Sequence, residues 1–186
     1  MWQALGPHGS LWAIMYSEMG PLEFVQDVWV IGDSSGEHLA LAPEGLVHRV
    51  DGVDRETIAW SRLMNFDLAA QPGKVASSKC LARTAKILAN LSGAGYTASG
   101  GASVAATLRH PYEDWSADFD HHSRKYPRRH IKLVGELLRQ TVEKGAAARL
   151  GDPEWMSTTV ELLAELAPDA SRPQRSVIRD LLDEMD

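Results

Sequence analysis

Short apolar runs separated by turn residues dominate residues 24–68, and this pattern predicts β-strands rather than helices. Two pairs of runs flank turn sequences: "DVWVIG" and "EHLALA" are joined by "DSSG", while "GLVHRV" and "VDRETIAW" are separated by Asp51 and Gly52. An Asp-Gly pair suits a type I′ hairpin because both central positions adopt a positive φ. We therefore expect two antiparallel hairpins, over residues 28–42 and 46–62.

The pattern changes to a helical period after a break at residues 71–74, "QPGK". Apolar residues then recur at intervals of four and three, as Leu81, Ala85, Leu88 and Leu91. This spacing predicts a helix over residues 75–91, with two glycines behind it as stop signals. Alternation returns at residues 96–109, which predicts a third hairpin, whereas residues 11–16 fit either a strand or a short helix.

The spacing from His110 onward is helical, and prolines mark the helix boundaries. Pro111 suits the first turn of a helix that Pro127 would end, because proline lacks the N–H group that later turns require. In "RLGDPEW" a glycine stops one helix, and the next begins with Asp152 as N-cap and Pro153 at its first position. A last helix lies near the C-terminus, and its apolar face consists of Val177, Ile178, Leu181, Leu182 and Met185.

These elements predict an α+β protein with antiparallel β-hairpins in the N-terminal part and helices in the C-terminal part. We divide it into a β-rich domain over residues 1–110, with one inserted helix at 75–91, and a helical segment over residues 111–186 that packs on it. The composition is that of a globular chain, since 44% of the 186 residues are hydrophobic and 24% are charged. Disordered and fibrous classes are therefore excluded.

The number of cysteines and the length of the N-terminal apolar run indicate the cellular compartment. Cys80 is the only cysteine in the sequence, which excludes an internal disulfide and a cysteine-based zinc site and fits a reducing environment. The N-terminal apolar run "LWAIMY" is too short for a membrane span or for the core of a signal peptide. We therefore expect a cytoplasmic protein without a membrane span.

Charge is segregated along the chain. Residues 1–72 carry 3 basic and 10 acidic side chains, residues 73–149 carry 13 and 6, and residues 150–186 carry 3 and 9. The basic middle suits either a patch for a polyanion or a surface that faces the acidic flanks within the fold, and we favour the second. Nucleic acid is therefore not the favoured partner. The candidate anion-binding residues surround Tyr126 and are Arg124, Lys125, Arg128, Arg129 and Lys132.

The stretch "DFDHHSRKYPRRH" contains three of the seven histidines of the chain. On the predicted helix, Asp118 and His121 lie on a polar stripe. His122 belongs to an inward-facing stripe with Tyr112, Trp115, Phe119 and Tyr126, so we expect a buried, hydrogen-bonded imidazole. The spacing of Asp118, His121 and His122 would suit a proton relay or a metal, but a catalytic zinc needs three protein ligands and His130 lies beyond a proline. We therefore expect no metal and no cofactor.

The stretch "GLVHRVDGVDRETIAWSRLMNFDL", residues 45–68, resembles part of a bacterial pleckstrin-homology-like β domain. In such domains a "GL" opens a strand, a tight hairpin follows, and the next strand carries an I-x-W-x-x-[IL] signature. Ile58, Trp60 and Leu63 occupy those positions here. The resemblance implies a curved antiparallel sheet that binds or scaffolds without catalysis. The segments "RHPYEDW" and "RLGDPEW" also resemble those of high-GC bacterial proteins.

These observations predict a non-catalytic binding or interaction module whose partner is a protein or a small anionic ligand. Two alternatives stay open. One is a small metal- or acid/base-dependent enzyme that uses Asp118, His121 and His122 as catalytic residues. The other binds an anionic ligand or nucleic acid through the basic residues between 124 and 132.

Overall fold

The computed structural model of the protein describes residues 18–70, 102–168 and 171–185, which form an α+β fold as predicted. The strands are β1 (Glu18–Met19), β2 (Leu22–Val25), β3 (Val28–Ile31), β4 (His38–Ala42), β5 (Gly45–Val50), β6 (Val53–Ala59), β7 (Asp67–Ala69), β8 (Ala102–Leu108) and β9 (Glu113–Phe119). The α-helices are α1 (Arg128–Glu143), α2 (Pro153–Leu166) and α3 (Gln174–Glu184), and two 3-10 helices cover Trp60–Arg62 and Ala147–Gly151.

The first sheet is an antiparallel meander in the order β1-β2-β3-β4-β5-β6. It contains both predicted hairpins, since β3 pairs with β4 and β5 pairs with β6. In the second hairpin Asp51 and Gly52 have φ values of 52° and 74°, which is the left-handed conformation that a type I′ turn needs. The turn chemistry of these residues is therefore confirmed.

The second sheet has the order β7-β8-β9, and it corrects the helix predicted from Pro111. Residues 113–119 form β9, which pairs antiparallel with β8 from Glu113 to Phe119, so the helical segment begins at Arg128 and not at residue 111. The predicted aromatic and polar stripes do not exist as helix faces. Phe119 is buried, as expected, but Trp115 is only half-buried and its Nε1 donates a hydrogen bond to the Glu56 carboxylate (2.8 Å).

The wrong prediction has a physical reason. The apolar residues of this stretch include Trp115 and Phe119, whose spacing of four fits a helix as well as it fits alternate positions of a strand. Pairing with β8 decides between the two, because it satisfies the backbone groups of β9 in a ladder. Pro127 does not end a helix; it stands immediately before the first residue of α1 as its N-cap.

Some of the predicted elements lie outside the described residues. These are the helix over residues 75–91, the strand or helix over residues 11–16, and the first run of the third hairpin, together with Cys80. The second run of that hairpin is β8, whose described partners are β7 and β9.

The start of α2 and the apolar face of α3 agree with the predictions, whereas α1 already ends at Glu143 and Gly151 ends a 3-10 helix. The Asp152 carboxylate accepts hydrogen bonds from the N–H groups of Glu154 (3.0 Å) and Trp155 (3.2 Å), which caps α2, and Pro153 stands at its first position. The predicted apolar face of α3 is buried at Val177, Ile178, Leu181 and Leu182, while Met185 is partly buried. Among the described helices none is long and apolar enough to cross a lipid bilayer.

One apolar core joins both sheets and the three helices. Its fully buried side chains include Met19, Leu22, Ile31, Leu39, Leu46, Ile58, Leu63, Phe66, Leu108, Leu133, Leu137 and Leu138. The Trp29 Nε1 donates to the Ser157 hydroxyl (3.2 Å), so α2 lies over the same face of the first sheet as this core. Alternate residues of β3, β4 and β5 form a smaller cluster on the opposite face, made of Val30, Ala40, Ala42 and Val47.

Candidate functional site

Most of the predicted site residues lie in the connection between β9 and α1, residues 120–127, which we call the histidine loop. Asp120 fixes its start to the β3–β4 turn. The Asp120 N–H donates to the Glu37 carbonyl (2.7 Å), and its carboxylate accepts from the Glu37 N–H (3.0 Å). A Cβ atom at Gly36 would lie 2.3 Å from the Asp120 carboxylate, so only glycine allows this close approach.

His122 is the centre of a buried chain of hydrogen bonds, which we call the relay: Glu23, His122 and Tyr126. Its Nε2 lies 3.1 Å from the Glu23 carboxylate on β2, and its Nδ1 contacts the Tyr126 hydroxyl. The Tyr126 hydroxyl also accepts a hydrogen bond from the His122 backbone N–H (2.9 Å). The prediction of a buried, hydrogen-bonded His122 is confirmed, because its side chain is 7% exposed and both ring nitrogens have partners.

The relay is consistent with a neutral imidazole. A His122 that donates from Nε2 to Glu23 can accept the hydroxyl proton of Tyr126 at Nδ1. Burial lowers the pKa of His122, and the nearby Arg124 guanidinium lowers it further, against the opposing effects of Glu23 and Asp33. Burial also raises the pKa of Tyr126, so the phenol keeps its proton.

His121 and Arg124 cover the ring of Tyr126. The His121 ring stacks on it with centroids 4.8 Å apart, and the Arg124 guanidinium carbon lies 5.7 Å from its centroid. Burial lowers the pKa of His121, and the neighbouring His122 adds to that effect. Within the described ranges the buried Nε2 of His121 has no hydrogen-bond partner. His121 therefore contributes packing and no ion pair.

Asp118 lies on β9, whereas His121 and His122 lie in the histidine loop that follows this strand. It lies on β9 opposite Ser103, and it is not one of the hydrogen-bond partners of His122, which are Glu23 and Tyr126. The helical spacing that would have placed Asp118 beside His121 and His122 does not exist. Among the described residues no group of three or more His, Cys, Asp and Glu side chains is arranged to hold a metal ion.

Two of the three groups of the relay, His122 and Tyr126, are buried. The Tyr126 side chain is 3% exposed, and its oxygen is already engaged by the backbone and the ring of His122. A general acid or base must lie within hydrogen-bond reach of the group that it protonates or deprotonates. With its centre and one end buried, the relay connects β2 to the histidine loop, and its geometry is that of a structural link.

The five predicted anion-binding residues divide into two groups. Arg124 donates from Nη2 to the carbonyls of Gly20 (3.3 Å) and Leu22 (3.0 Å), which holds the histidine loop against β2. Arg129 donates from Nε to the Ala167 carbonyl (2.7 Å), which holds α1 against the end of α2. The other three are exposed and have no ion pair with a described residue: Lys125, Arg128 and Lys132.

A second loop carries exposed aromatic and basic side chains. This is the hairpin tip, residues 109–112, which joins β8 to β9. Tyr112 is 71% exposed, the largest fraction among the large hydrophobic side chains in the described parts of the chain. The rings of His110 and Tyr112 lie 5.9 Å apart. Arg109 and His110 are also exposed.

Hydrogen bonds join the hairpin tip to residues 61–65. Arg109 donates its N–H to the Arg62 carbonyl (2.9 Å) and its Nε to the Ser61 carbonyl (2.8 Å). In return the Arg62 Nε donates to the Arg109 carbonyl (3.2 Å), and its Nη2 bonds the Glu113 carboxylate (2.6 Å). One of these four bonds joins two backbone groups, and two more end on backbone carbonyls, so the tip is anchored to residues 61 and 62.

No protein-family model, curated protein or solved structure matches this chain. The pleckstrin-homology-like resemblance of residues 45–68 therefore stays a prediction, although Ile58, Trp60 and Leu63 are all buried.

Two parts of this arrangement were missed from the sequence. Glu23 gave no signal, because it is 99 residues from His122 and stands alone on a short strand. The hairpin tip could have been found from Pro111 and Tyr112, since a proline between two polar aromatic residues is typical of a turn as well as of a helix start.

Proposed function

We propose that the protein is a non-catalytic binding module that contacts a protein partner through the hairpin tip. The observation that carries this proposal is the 71% exposure of Tyr112 on a loop that is hydrogen-bonded to a fixed base. Large aromatic side chains are normally buried, and an exposed one on an ordered loop suits an interface.

The composition and rigidity of the tip both support binding. Tyrosine and arginine are enriched among the residues that contribute most to binding energy in protein interfaces, and the tip exposes both Tyr112 and Arg109. A surface that is already fixed loses little conformational entropy when a partner binds. The contacts between Arg62 and Arg109 provide that fixation before any partner arrives.

The partner that fits this surface is a peptide segment with an acidic and an apolar residue. Arg109 is exposed, and its Nε is the one side-chain nitrogen that bonds a described residue, so its Nη groups can bind a carboxylate. The Tyr112 ring offers an apolar surface on the same loop. Arg62 contributes less, because Glu113 already pairs with it.

The relay supports the non-catalytic part of the proposal, because its histidine and tyrosine are buried and bonded to each other. The resemblance of residues 45–68 to a pleckstrin-homology-like domain fits the same proposal, since it implies a sheet that binds or scaffolds.

A peptide selection tests the proposal without knowledge of the natural partner. Random peptides displayed on phage are selected on the native protein, and the enriched peptides are measured by isothermal titration calorimetry. We expect enriched sequences that combine acidic and apolar residues, with dissociation constants on the order of 10 µM. Tyr112→Ala and Arg109→Ala should each weaken them by about tenfold or more.

Val53→Ala is the matched control, because Val53 is another exposed apolar residue (54%) but lies in β6, at the turn from β5. It should leave the affinity unchanged. Selected peptides that bind Tyr112→Ala as tightly as the parent protein would place the binding surface elsewhere and overturn the proposal.

A further inference from the structure

A cavity of about 370 Å³ lies between β7, the middle of α1 and the start of α3, in a different part of the fold from the hairpin tip. Its lining includes Asp67 from β7, Lys132, Gly135 and Arg139 from α1, and Arg175 from α3. The volume is within the range of small-molecule sites, and most of the side chains around it are polar or charged.

Two of the cations that line the cavity are available to a ligand. Lys132 and Arg175 are exposed, and neither forms an ion pair with another residue in the described ranges. The charge of Arg175 also acts on Glu136, a carboxylate on the same lining whose pKa it helps to lower. Arg139 is different, because its guanidinium bonds the carboxylates of both Glu136 and Glu143. Burial alone would raise the pKa of Glu136, but hydrogen bonds from Arg139 and Gln140 lower it, so this carboxylate stays charged and engaged.

Gly135 lies in the wall of the cavity, where it leaves space that a side chain would fill. Glycine inside a helix is less stable than alanine, because it loses more conformational freedom on folding. Packing does not require it here: an added Cβ atom would lie 3.5 Å from the Leu68 Cβ, an ordinary van der Waals contact. The glycine therefore has no steric explanation in the neighbouring strand, and what it does provide is space in the cavity wall.

We propose that this cavity binds a small organic phosphate, with the phosphate group between Lys132 and Arg175. A phosphate carries close to two negative charges at neutral pH, which matches two unpaired cations better than a single carboxylate does. Arginine binds phosphate oxygens through its planar fork and lysine binds them as a point charge. Asp67 and Gln174, on the same lining, can accept hydrogen bonds from hydroxyl groups of the remaining part of the ligand.

Titration followed by heteronuclear NMR tests this site on the full chain, with inorganic phosphate, glycerol 3-phosphate, acetate and glycerol as probes. We expect shifts of the amide signals of Lys132, Gly135 and Arg175, with a dissociation constant on the order of 1 mM for inorganic phosphate and tighter binding of glycerol 3-phosphate. Acetate should bind more weakly than phosphate, and glycerol should not bind.

Charge variants separate a site from general attraction of anions to a basic surface. Lys132→Ala and Arg175→Ala should each weaken phosphate binding by about tenfold. Arg179→Ala is the control, because it removes the same charge one turn along α3, from a residue that lines a neighbouring cavity and not this one. An equal loss in Arg179→Ala, or no shifts at the three amides up to about 50 mM phosphate, would contradict a site with millimolar affinity.

Gly135→Ala gives an independent readout. The alanine should raise the melting temperature by about 2–4 °C because of its helix propensity, and it should weaken phosphate binding by narrowing the cavity. A variant that is stabilised and binds phosphate as well as the parent would mean that Gly135 does not keep the cavity open for this ligand. Binding by the hairpin tip should be unchanged in this variant, so the two proposals fail separately.

Discussion

Strand β9 begins and ends in two loops of similar composition and opposite exposure. The hairpin tip, before the strand, contains Arg109, His110 and Tyr112 on the surface, whereas the histidine loop, after it, contains His122 and Tyr126 in the interior. Tyr112 is 71% exposed and Tyr126 is 3% exposed. The same residue types therefore lie on the surface at one end of the strand and in the interior at the other. We propose recognition for the exposed loop and a contribution to stability for the buried one.

The largest difference between the two loops is expected on removal of a histidine. His122→Ala leaves a cavity and takes a hydrogen-bond partner from both Glu23 and Tyr126, so it should lower the free energy of unfolding by about 3 kcal/mol. His110→Ala, at the exposed tip, should change it by less than about 0.5 kcal/mol. Urea denaturation measures both changes, and equal effects would mean that the two loops contribute alike to stability.

A smaller effect is expected when one hydroxyl group is removed. Tyr126→Phe deletes the group that bonds the ring and the backbone N–H of His122, which should lower the free energy of unfolding by about 1–2 kcal/mol. Tyr112→Phe makes the same chemical change on the surface and should leave the stability unchanged. The two variants, compared by thermal denaturation, sharpen the distinction, because the deleted atom is identical.

Three buried or half-buried histidines should govern the pH dependence of stability. Burial lowers the pKa of His121, His122 and His130 below the ordinary value of 6.5, so the unfolded chain takes up protons first as the pH falls. Their contribution is complete above about pH 6.5 and is lost as the pH falls through the lowered values. The free energy of unfolding should therefore decrease between pH 7 and pH 5.

His122→Gln should reduce this decrease, because the glutamine does not titrate. The facing groups Glu23 and Asp33 favour the protonated imidazole and Arg124 disfavours it, so the measured slope reports their balance. Denaturant titrations at pH 5, 6 and 7 give that slope, and a stability that rises on acidification would contradict a lowered pKa.

Local signals in the sequence were sufficient where neighbouring residues decide the structure. Asp51 and Gly52 form the predicted turn because the two residues alone supply the positive φ values. Asp152 and Pro153 begin α2 because the cap bonds the N–H groups of the next turn. The buried stripe of α3 follows from its helical period.

The wrong predictions concern local structure that depends on contacts with residues far away in the sequence. Trp115 and Phe119 fit two periods, and pairing with β8 selects the strand. The role of His122 depends on Glu23, which approaches it only after the sheet has formed. The inward direction of His122 was predicted from a helix that does not exist, so that prediction was right about burial and wrong about its cause.

Amide hydrogen exchange, measured with and without a selected peptide, distinguishes the roles of the two loops in one experiment, because it reports on both ends of β9. We expect slower exchange with peptide bound in residues 61–65 and 109–113, and unchanged exchange in residues 120–127. Slower exchange confined to residues 120–127, with the hairpin tip unaffected, would contradict the assignment of recognition to the tip and of stability to the histidine loop.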